Sequence, residues 1–317
     1  MRPFSREERK ELFDGKHVSS LLPYDGIEGN AQVLEIIREG NGRLSISGAQ
    51  EKFAMVEDGG RLRFTRNGER GKYILKPIQA DYRFYLREDM PANEYLTMHI
   101  AKHVYHLPVA AHGLVFFENG QAAYLTRRFD YLDDGRKAGM EDLASIAGLN
   151  VSTSGSDYKY HLSYEDCAEW IKQYCPAYQV DLLRFFRLII FNYLFCNADA
   201  HLKNFSLMED GRGFYHLAPA YDLLNTQIHL PTSIFALEKG LFKEGTPILD
   251  TTPIGRPLFE QFGRRIALPD VMIQRELDDF AFVRPEVDEM IENSLLSDKA
   301  KEEYFNSYKY RLSTMQK

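Results

Sequence analysis

The hydrophobic and polar positions divide the chain into two parts with different periodicity. Up to about residue 130, short strand-like apolar runs are separated by turn sequences such as Asp58-Gly59-Gly60 and Asn67-Gly68, which are typical of hairpins. Beyond that point the apolar residues recur with helical spacing. The pattern predicts an α+β chain, with an antiparallel β-rich part over residues 1–130 and a mainly helical part over residues 131–317.

The individual elements follow from the same pattern. A capping box of Ser5 and Glu8 predicts a first helix over 5–13, and residues 30–38 are typical of a short helix or strand. Strands are predicted at 52–57, 61–65 and 72–78 as a meander, then at 109–117, 122–126, 205–208 and 213–217. Further helices are predicted at 91–104, 141–149, 163–174, 181–195, 257–262, 270–280, 285–295 and 297–314. Residues 150–161, rich in Ser, Gly, Asp and Lys, are expected to form an exposed, mobile loop.

The helix predicted at 181–195 is apolar around most of its circumference, so we expect it to lie in the core. Arg184, Arg187 and Asn192 interrupt a run that is too short to cross a bilayer, which excludes a lipid-spanning helix here. The helix leads directly into a polar loop over 196–205 and would hold that loop on a rigid base.

The polar loop and a nearby segment carry the candidate chemistry. Asp199 is followed five residues later by Asn204, and Asp222 comes after a predicted hairpin. Transfer of a phosphoryl group from ATP needs a carboxylate that holds the attacking hydroxyl, together with oxygen ligands for Mg²⁺. An Asp and an Asn at this spacing also occur in ordinary polar turns, so the spacing alone leaves both interpretations open.

Composition narrows the class of protein. A chain of 317 residues with 44% hydrophobic and 13% aromatic content is typical of a globular protein with room for two lobes. The formal charge of −7 argues against broad binding of nucleic acid. Three cysteines without Cys-x-x-Cys spacing predict reduced thiols. Because the first residues contain no apolar signal segment, we expect a cytoplasmic protein without membrane attachment.

Several segments resemble the HipA family of protein Ser/Thr kinases. The stretch from Ser45 to Lys52 is similar to the family loop Ser-Ile-x-Gly-Ala-Gln-Glu-Lys, and residues 196–205 with Tyr221-Asp222 resemble the catalytic and metal-binding segments. Arg127-Arg128-Phe129-Asp130 resembles the family hinge Glu-Arg-Phe-Asp, which carries the adenine contacts, with Arg127 in place of Glu. The matches occur in family order over about residues 40–225. The resemblance implies a two-lobed protein-kinase-like fold, with the lobes at 1–130 and 131–317.

The resemblance also implies roles for individual residues. Asp199 is expected to be the catalytic base, Asn204 and Asp222 the ligands of Mg²⁺, and Glu94 the residue that orients a phosphate-binding Lys76. The residues expected to bind ATP are Ser47, Gly48, Ala49, Gln50, Glu51, Lys52, Lys76, Arg127, Arg128, Phe129, His201, Leu202, Lys203, Asn204, Tyr221 and Asp222. For Glu94 an ordinary first-turn position in a helix is the alternative, and for His201 a polar position in the core.

The chain most resembles a short form of the family. About 44 residues precede the Ser-Ile-Ser loop, so the small N-terminal subdomain of full-length HipA is expected to be missing. This shortness and the paired Ser45 and Ser47 resemble HipT, the kinase toxin of three-component HipBST systems. Autophosphorylation at Ser45, Ser47 or both is therefore expected, and the added negative charge would repel ATP. The resemblance further implies a protein substrate, for which aminoacyl-tRNA synthetases are the family precedent. It also implies a HipB-like DNA-binding partner and a HipS-like small subunit, without direct nucleic-acid binding by this chain.

Three functions are compatible with these residues. The first is an ATP- and Mg²⁺-dependent protein Ser/Thr kinase of toxin type. The second is a small-molecule or lipid kinase, against which the Ser-x-Ser-Gly-Ala-Gln-Glu-Lys loop speaks. The third is a nucleotide-binding regulatory module with little turnover, and the presence of Asp199, Asn204 and Asp222 in one chain counts against it. The sequence therefore favours the protein kinase.

Overall fold

The computed structural model describes residues 2–28, 30–39, 43–45, 51–131, 136–231, 233–246 and 254–317. The helices are α1 (Arg6–Phe13), α2 (Ala31–Glu39), α3 (Met90–His103), α4 (Leu143–Ile146), α5 (Val151–Ser154), α6 (Tyr164–Tyr174), α7 (Tyr178–Leu194), α8 (Arg256–Arg265), α9 (Asp270–Ala281), α10 (Pro285–Glu292) and α11 (Asp298–Met315). The strands are β1 (Arg43–Ser45), β2 (Lys52–Asp58), β3 (Arg61–Phe64), β4 (Tyr73–Lys76), β5 (His112–Phe116), β6 (Ala122–Arg127), β7 (Met140–Asp142), β8 (Ser206–Glu209) and β9 (Tyr215–Leu217). Single 3₁₀ turns occur at Arg87–Asp89, Tyr158–Tyr160, Leu202–Asn204 and Thr226–Ile228.

The first six strands form an antiparallel sheet in the order β1-β2-β4-β6-β5, with β3 paired to β2. The predicted meander of β2, β3 and β4 is wrong, because Met55 of β2 pairs with Phe64 of β3 and also with Tyr73 of β4. Strand β4 therefore occupies one edge of β2, and because β2 is seven residues long its other edge pairs with both β1 and β3. The connection passes close to β2 at Gly71, where a Cβ atom would lie 2.7 Å from Cβ of Ala54.

Helix α1 covers part of this sheet and closes its core. Ser5 and Glu8 form the predicted capping box, so the local pattern fixed the start of the helix. The rings of Phe4 and Phe13 lie 5.0 Å apart, and Phe13 lies 5.3 Å from the ring of Tyr73 on β4. A Cβ atom at Gly113 of β5 would come within 2.9 Å of Phe4, so the absence of a side chain there allows the close approach. The N-terminal segment is therefore part of the core of the β-rich half.

Helix α3 contacts both halves of the molecule. It packs against β5 and β6 on one side. On the other side Nδ2 of Asn93 donates to the carbonyl of Asn225 at 2.8 Å, and the hydroxyls of Thr97 and Tyr304 lie 2.9 Å apart. Many α3 residues belong to the large hydrophobic cluster that continues through α6, α7 and α8 to α11. Although α3 precedes residue 130, its core is shared with the helical half, and the division at residue 130 stays a prediction.

Helix α7 is the central helix of that large cluster, as its apolar circumference predicted. The predicted hairpin after the polar loop is also present, because β8 pairs antiparallel with β9. The helix predicted at 141–149 is shorter than expected. Residues 140–142 instead form β7, which pairs with β8, and Asp142 then caps the single turn of α4. Across the described residues, every helix falls short of the length and apolar character that a membrane crossing requires.

Candidate active site

Lys76 lies at the centre of the candidate site, at the last position of β4. Its Nζ donates to Oε1 of Glu94 on α3 at 2.5 Å and to Oδ1 of Asp222 at 2.6 Å. The side chains of Lys76 and Glu94 are 3% and 1% exposed, so this ion pair is buried. The ring of Tyr124 on the neighbouring strand β6 lies 5.3 Å from Nζ. Strand β4, helix α3 and the segment after β9 therefore meet at one ammonium group.

The charges at Lys76 keep the lysine protonated. Burial alone would lower the pKa of Lys76, but the carboxylates of Asp222 and Glu94 outweigh it and raise the pKa above its ordinary value. Burial raises the pKa of Glu94, and the charge of Lys76 opposes this. The pairing of Lys76 with Glu94 is present, while its role in orienting the lysine toward a nucleotide stays a prediction.

Asp222 accepts from a second lysine as well. Nζ of Lys52, the first residue of β2, donates to Oδ2 of Asp222 at 2.8 Å. Burial would raise the pKa of Asp222, but the two positive charges hold it well below its usual range. Asp222 is therefore an ionised carboxylate with one lysine on each oxygen, and its side chain is 22% exposed.

The backbone of Asp222 is held in an unusual conformation. Its φ of 56° lies in the left-handed region, which non-glycine residues adopt infrequently. The carbonyl of Asp222 accepts from Nδ2 of Asn197 at 3.3 Å, and the same Nδ2 donates to Oδ1 of Asn192 on α7 at 2.8 Å. Asn197 thus ties Asp222 to the central helix and to the loop that carries Asp199.

The loop from 196 to 205 is fixed by its own polar side chains. Nδ2 of Asn204 donates to the backbone carbonyl of Asp199 at 2.8 Å, and Oδ1 of Asn197 accepts from the backbone N–H of Asp199 at 3.3 Å. Oγ1 of Thr226 accepts from the N–H of Ala198 at 2.9 Å. The loop is therefore ordered, while the carboxylate of Asp199 is 43% exposed and accessible to an incoming group.

The carboxylate of Asp199 has one close partner that the sequence did not predict. The hydroxyl of Tyr160 donates to Oδ1 of Asp199 at 2.7 Å. Tyr160 lies in the segment 150–161, which is predicted to be an exposed, mobile loop. Most of residues 150–157 are exposed, but the segment contains α5 and a 3₁₀ turn. No local pattern connects positions 160 and 199, so the sequence carried no signal for this contact.

His201 is buried beside the same carboxylate. Its Nε2 lies 3.9 Å from Oδ2 of Asp199, and its ring lies 5.3 Å from the ring of Tyr160. Burial lowers the pKa of His201 to about 4, despite the opposing charge of Asp199, so the ring is neutral at pH 7. Nδ1 is buried without a hydrogen-bond partner among the described residues. A buried polar atom in this position is compatible with a bound polar group in the site.

Other residues of the loop have different surroundings. The side chain of Leu202 is fully buried in the large hydrophobic cluster. Nζ of Lys203 donates to Oδ2 of Asp142 at 3.0 Å. The hydroxyl of Tyr221 donates to the carbonyl of Lys203 at 2.9 Å and lies 2.6 Å from Oγ of Ser206. The predicted contacts of these residues with ATP stay predictions, and for Leu202 such a contact would have to be made by the backbone.

The hinge segment is joined to α1 through Arg127. Its guanidinium donates to Oδ1 of Asp14 at 2.6 Å and to the carbonyl of Glu11 at 3.1 Å, both at the end of α1. The backbone N–H of Arg127 donates a hydrogen bond to the carbonyl of Ala111 at 2.9 Å. Where the family has Glu, this chain therefore uses the Arg127 side chain to join the hinge strand to α1. The predicted backbone contact of the hinge with adenine stays a prediction.

The next two residues complete the hinge segment. The guanidinium of Arg128 donates to Oδ2 of Asp130 at 2.6 Å, and the backbone N–H of Arg128 donates to the carbonyl of Lys72 at 2.9 Å. The ring of Phe129 lies 5.6 Å from that of Tyr221. The segment thus brings an aromatic side chain toward the residue that precedes Asp222.

Part of the predicted phosphate-binding loop cannot be placed. Ser47, Gly48, Ala49 and Gln50 lie outside the described residues, and only the backbone of Ser45 is described, as the end of β1. Glu51 directly precedes β2. The predicted roles of these residues in ATP binding and autophosphorylation stay predictions.

The donor set fits Mg²⁺ better than a softer metal. Asp222 offers carboxylate oxygens, and because Asn204 uses its Nδ2 to bond Asp199, its Oδ1 is the remaining polar atom of the amide. Hard oxygen ligands of this kind suit Mg²⁺, which usually takes one or two protein ligands together with substrate phosphates. Within the described ranges, no group of three or more His, Cys, Asp and Glu residues is arranged to hold a metal by itself. The predicted roles of Asp222 and Asn204 as ligands of Mg²⁺ stay predictions.

Sequence comparisons find related proteins along most of the chain. The model of the HipA-like C-terminal domain matches residues 44–282. A protein of Haemophilus influenzae named "Putative kinase" is 26% identical over 328 aligned residues, which cover 98% of this chain and 92% of that protein. "Putative kinase Y4mE" of Sinorhizobium fredii is 32% identical over 194 residues, covering 58% of this chain and 43% of that protein.

Two solved structures share the fold. HipA of Shewanella oneidensis, in a complex of a toxin–antitoxin system with HipB and operator DNA, is matched with a TM-score of 0.63 and 21% identity over 99% of this chain and 70% of that one. The Helicobacter pylori proinflammatory kinase CtkA gives a TM-score of 0.52 and 16% identity over 86% of this chain and 90% of that one. The predicted kinase-like α+β fold is confirmed. Because the family model covers most of the chain, the protein belongs to the HipA-like C-terminal domain family.

Proposed function

We propose that this protein is an ATP-dependent protein serine/threonine kinase of HipA type. One observation carries the proposal: Lys76 is buried and held between Glu94 and Asp222. A lysine–glutamate pair that orients a phosphate-binding lysine, next to a metal-binding Asp, is the arrangement that protein kinases require for phosphoryl transfer. The fold and the kinase names of the relatives support the same reaction class.

Each part of the site has a task in this reaction. Asp222 and Asn204 would hold Mg²⁺, which neutralises charge on the phosphates when bound. Lys76 and Lys52 bring two positive charges to Asp222, at the place where phosphates would accompany the metal. As the nucleotide binds, the lysines exchange contacts with Asp222 for contacts with phosphate oxygens. The two lysines therefore neutralise the negative charge of Asp222 in the free protein, and that of the phosphates in the complex with the nucleotide.

Asp199 would act on the acceptor. Its partly exposed carboxylate accepts the proton of the substrate hydroxyl while the hydroxyl oxygen forms a bond to the γ-phosphorus. The bond between that phosphorus and the bridging oxygen of ADP breaks, and ADP leaves. Burial lowers the pKa of His201 to about 4, so its ring is neutral at pH 7 and adds no positive charge beside Asp199.

The finer features are carried over as part of the proposal. The substrate is a protein, for which an aminoacyl-tRNA synthetase is the family precedent, and the chain also modifies itself at Ser45, Ser47 or both. It works as the toxin of a toxin–antitoxin pair with a HipB-like partner and, as in HipT systems, a HipS-like small subunit. The complex of the Shewanella oneidensis HipA with HipB supports the first of these partners.

The test is transfer of labelled γ-phosphate from ATP, measured on the chain itself and on proteins of a lysate from the source cell. Asp199→Ala is expected to lower transfer by about 10²–10⁴-fold, the usual contribution of a general base. Asp222→Ala is expected to abolish it through loss of the metal. Glu209→Ala, at the end of β8 outside the site, is the control and should retain full transfer.

The outcomes separate the candidate functions. Label that appears on Ser45 or Ser47, or on a protein of the lysate, supports the proposal. Label that appears only on small molecules or lipids shows a kinase of a different substrate class. Binding of ATP without any transfer shows a regulatory module and overturns the proposal.

A further inference from the structure

Tyr160 is the close partner of the candidate base, and the roles described so far do not use it. Its hydroxyl lies 2.7 Å from Oδ1 of Asp199, a short hydrogen bond to a carboxylate. On the other side of the carboxylate, Nε2 of His201 is 3.9 Å from Oδ2, which is too far for a hydrogen bond. The two carboxylate oxygens therefore have different surroundings: Oδ1 accepts a hydrogen bond from Tyr160, and Oδ2 accepts none from His201.

The position of Tyr160 is fixed at several points. The backbone N–H of Tyr160 donates to the carbonyl of Asp157 at 2.8 Å. The carbonyl of Tyr160 accepts from the backbone N–H of Glu238 at 2.8 Å. Its ring contacts the edge of the His201 ring at a centroid distance of 5.3 Å. Because the residue is anchored on both sides of its side chain, the hydroxyl is presented to Asp199 from a rigid position rather than from a mobile loop.

The phenol acts as a donor in this contact. Burial raises the pKa of Tyr160, and the negative charge of Asp199 raises it further. The phenol keeps its proton at neutral pH, and an ionised carboxylate can only accept. The direction of the hydrogen bond is thereby settled.

We propose that Tyr160 is a positioning residue for phosphoryl transfer: it holds Oδ1 of Asp199 and so presents Oδ2 to the acceptor hydroxyl. Without this bond, a carboxylate that is 43% exposed can rotate about its Cβ–Cγ bond and exchange its oxygens with solvent contacts. With the bond, the plane of the carboxylate is set before the acceptor arrives, which is the kind of pre-orientation that accelerates catalysis. This inference rests on the proposed role of Asp199 as the base.

Tyr160→Phe tests the proposal, because it removes the hydroxyl and keeps the ring against His201. Release of inorganic phosphate from Mg·ATP, with water as acceptor, and transfer of label to the chain are measured as a function of ATP concentration. We expect kcat to fall about tenfold, as for loss of one hydrogen bond to a charged group, with KM for ATP changed by less than about twofold. Tyr174→Phe, a phenol that is 45% exposed at the end of α6, is the matched control and should leave both constants unchanged.

A double-mutant cycle distinguishes positioning from a general structural effect. If Tyr160 works through Asp199, then Tyr160→Phe causes no further loss in the Asp199→Ala background. A purely structural role would lower the melting temperature and reduce the remaining activity of both backgrounds alike.

The results that overturn the inference are distinct from failure of the proposed function. If the unmodified chain neither hydrolyses ATP nor transfers phosphate, the proposed function fails. If the unmodified chain is active and Tyr160→Phe equals it within about twofold, Tyr160 does not position the base. An increase in kcat would also overturn the inference, because it would show that the hydroxyl competes with the acceptor for Asp199.

Discussion

Replacing Lys76 with Met tests the buried charge network most directly. Met is close to Lys in length and removes the ammonium group that lies 2.5 Å from Glu94 and 2.6 Å from Asp222. Asp222 keeps Lys52 as a partner, but Glu94 is 1% exposed and would lose its compensating charge. Breaking a buried pair on one side costs about 3–5 kcal/mol. The unfolding entropy of about 2.1 cal/mol/K per residue for 317 residues converts this loss to a fall in melting temperature of about 5–8 °C.

The loss should depend on pH in a defined direction. Burial already raises the pKa of Glu94, and removal of Lys76 would raise it further. A carboxyl group whose folded pKa lies above its unfolded value contributes stability that is fully present below the unfolded value. That contribution is lost as the pH rises through the folded value. The difference in melting temperature between Lys76→Met and the unmodified chain should therefore be larger at about pH 8 than at about pH 5.5.

Two further variants make the test specific. Lys72→Met, at an exposed lysine just before β4, should change stability by no more than about 0.5 kcal/mol. The double variant Lys76→Met/Glu94→Met removes both buried charges and should recover most of the lost stability, without recovering phosphoryl transfer. Differential scanning calorimetry measures the stabilities, and transfer of labelled phosphate from ATP measures the activity. The reasoning is wrong if Lys76→Met melts like Lys72→Met, or if its deficit is the same at both pH values.

Three more outcomes follow from the same structure. Lys52→Met should weaken ATP binding about tenfold in isothermal titration calorimetry, because a charged contact with the phosphates is lost. The free energy of unfolding should change by at most about 1 kcal/mol, because Lys52 is 31% exposed. Unchanged affinity for ATP would contradict the role of Lys52. Arg127→Glu should lower the free energy of unfolding by about 1–2 kcal/mol in urea, and about 0.5 M salt should reduce this loss, because the new charge faces Asp14. An equal loss in low and high salt would contradict that explanation. The lysine partners of Asp222 lower its pKa, so the stability that Asp222 contributes is present above about pH 4 and is lost on further acidification. Between about pH 4 and pH 2, the melting temperature of Asp222→Asn should therefore fall less steeply than that of the unmodified chain.

Features that depend on neighbouring residues could be predicted from the sequence. The capping box at Ser5, the apolar circumference of α7 and the hairpin of β8 and β9 each arise from interactions within a few residues or turns. For these features, local physical chemistry and the observed structure agree. The pairing of Lys76 with Glu94 was implied by the resemblance to the HipA family and not by a local pattern.

Features that depend on long-range competition could not be predicted. Residues 141 and 142 belong to a predicted helix, yet with Met140 they pair with β8, because that strand offers an unpaired edge. The contact between Tyr160 and Asp199, and that between Lys52 and Asp222, join residues 39 and 170 positions apart. Periodicity reports which side of an element is apolar, but it does not report which distant side chain will meet it.

The bond between Arg127 and the end of α1 has a practical consequence for handling the protein. Phe4 is buried against the sheet, and Arg2 donates to Glu8 and pairs with it at 2.7 Å, so the first residues are firmly attached to the strand that leads to the hinge. An affinity tag or a surface linkage at this end would act on that strand and change the measured rates of phosphoryl transfer. Attachment at Lys317, which is exposed beyond α11, leaves the hinge untouched and is the better choice for immobilised assays.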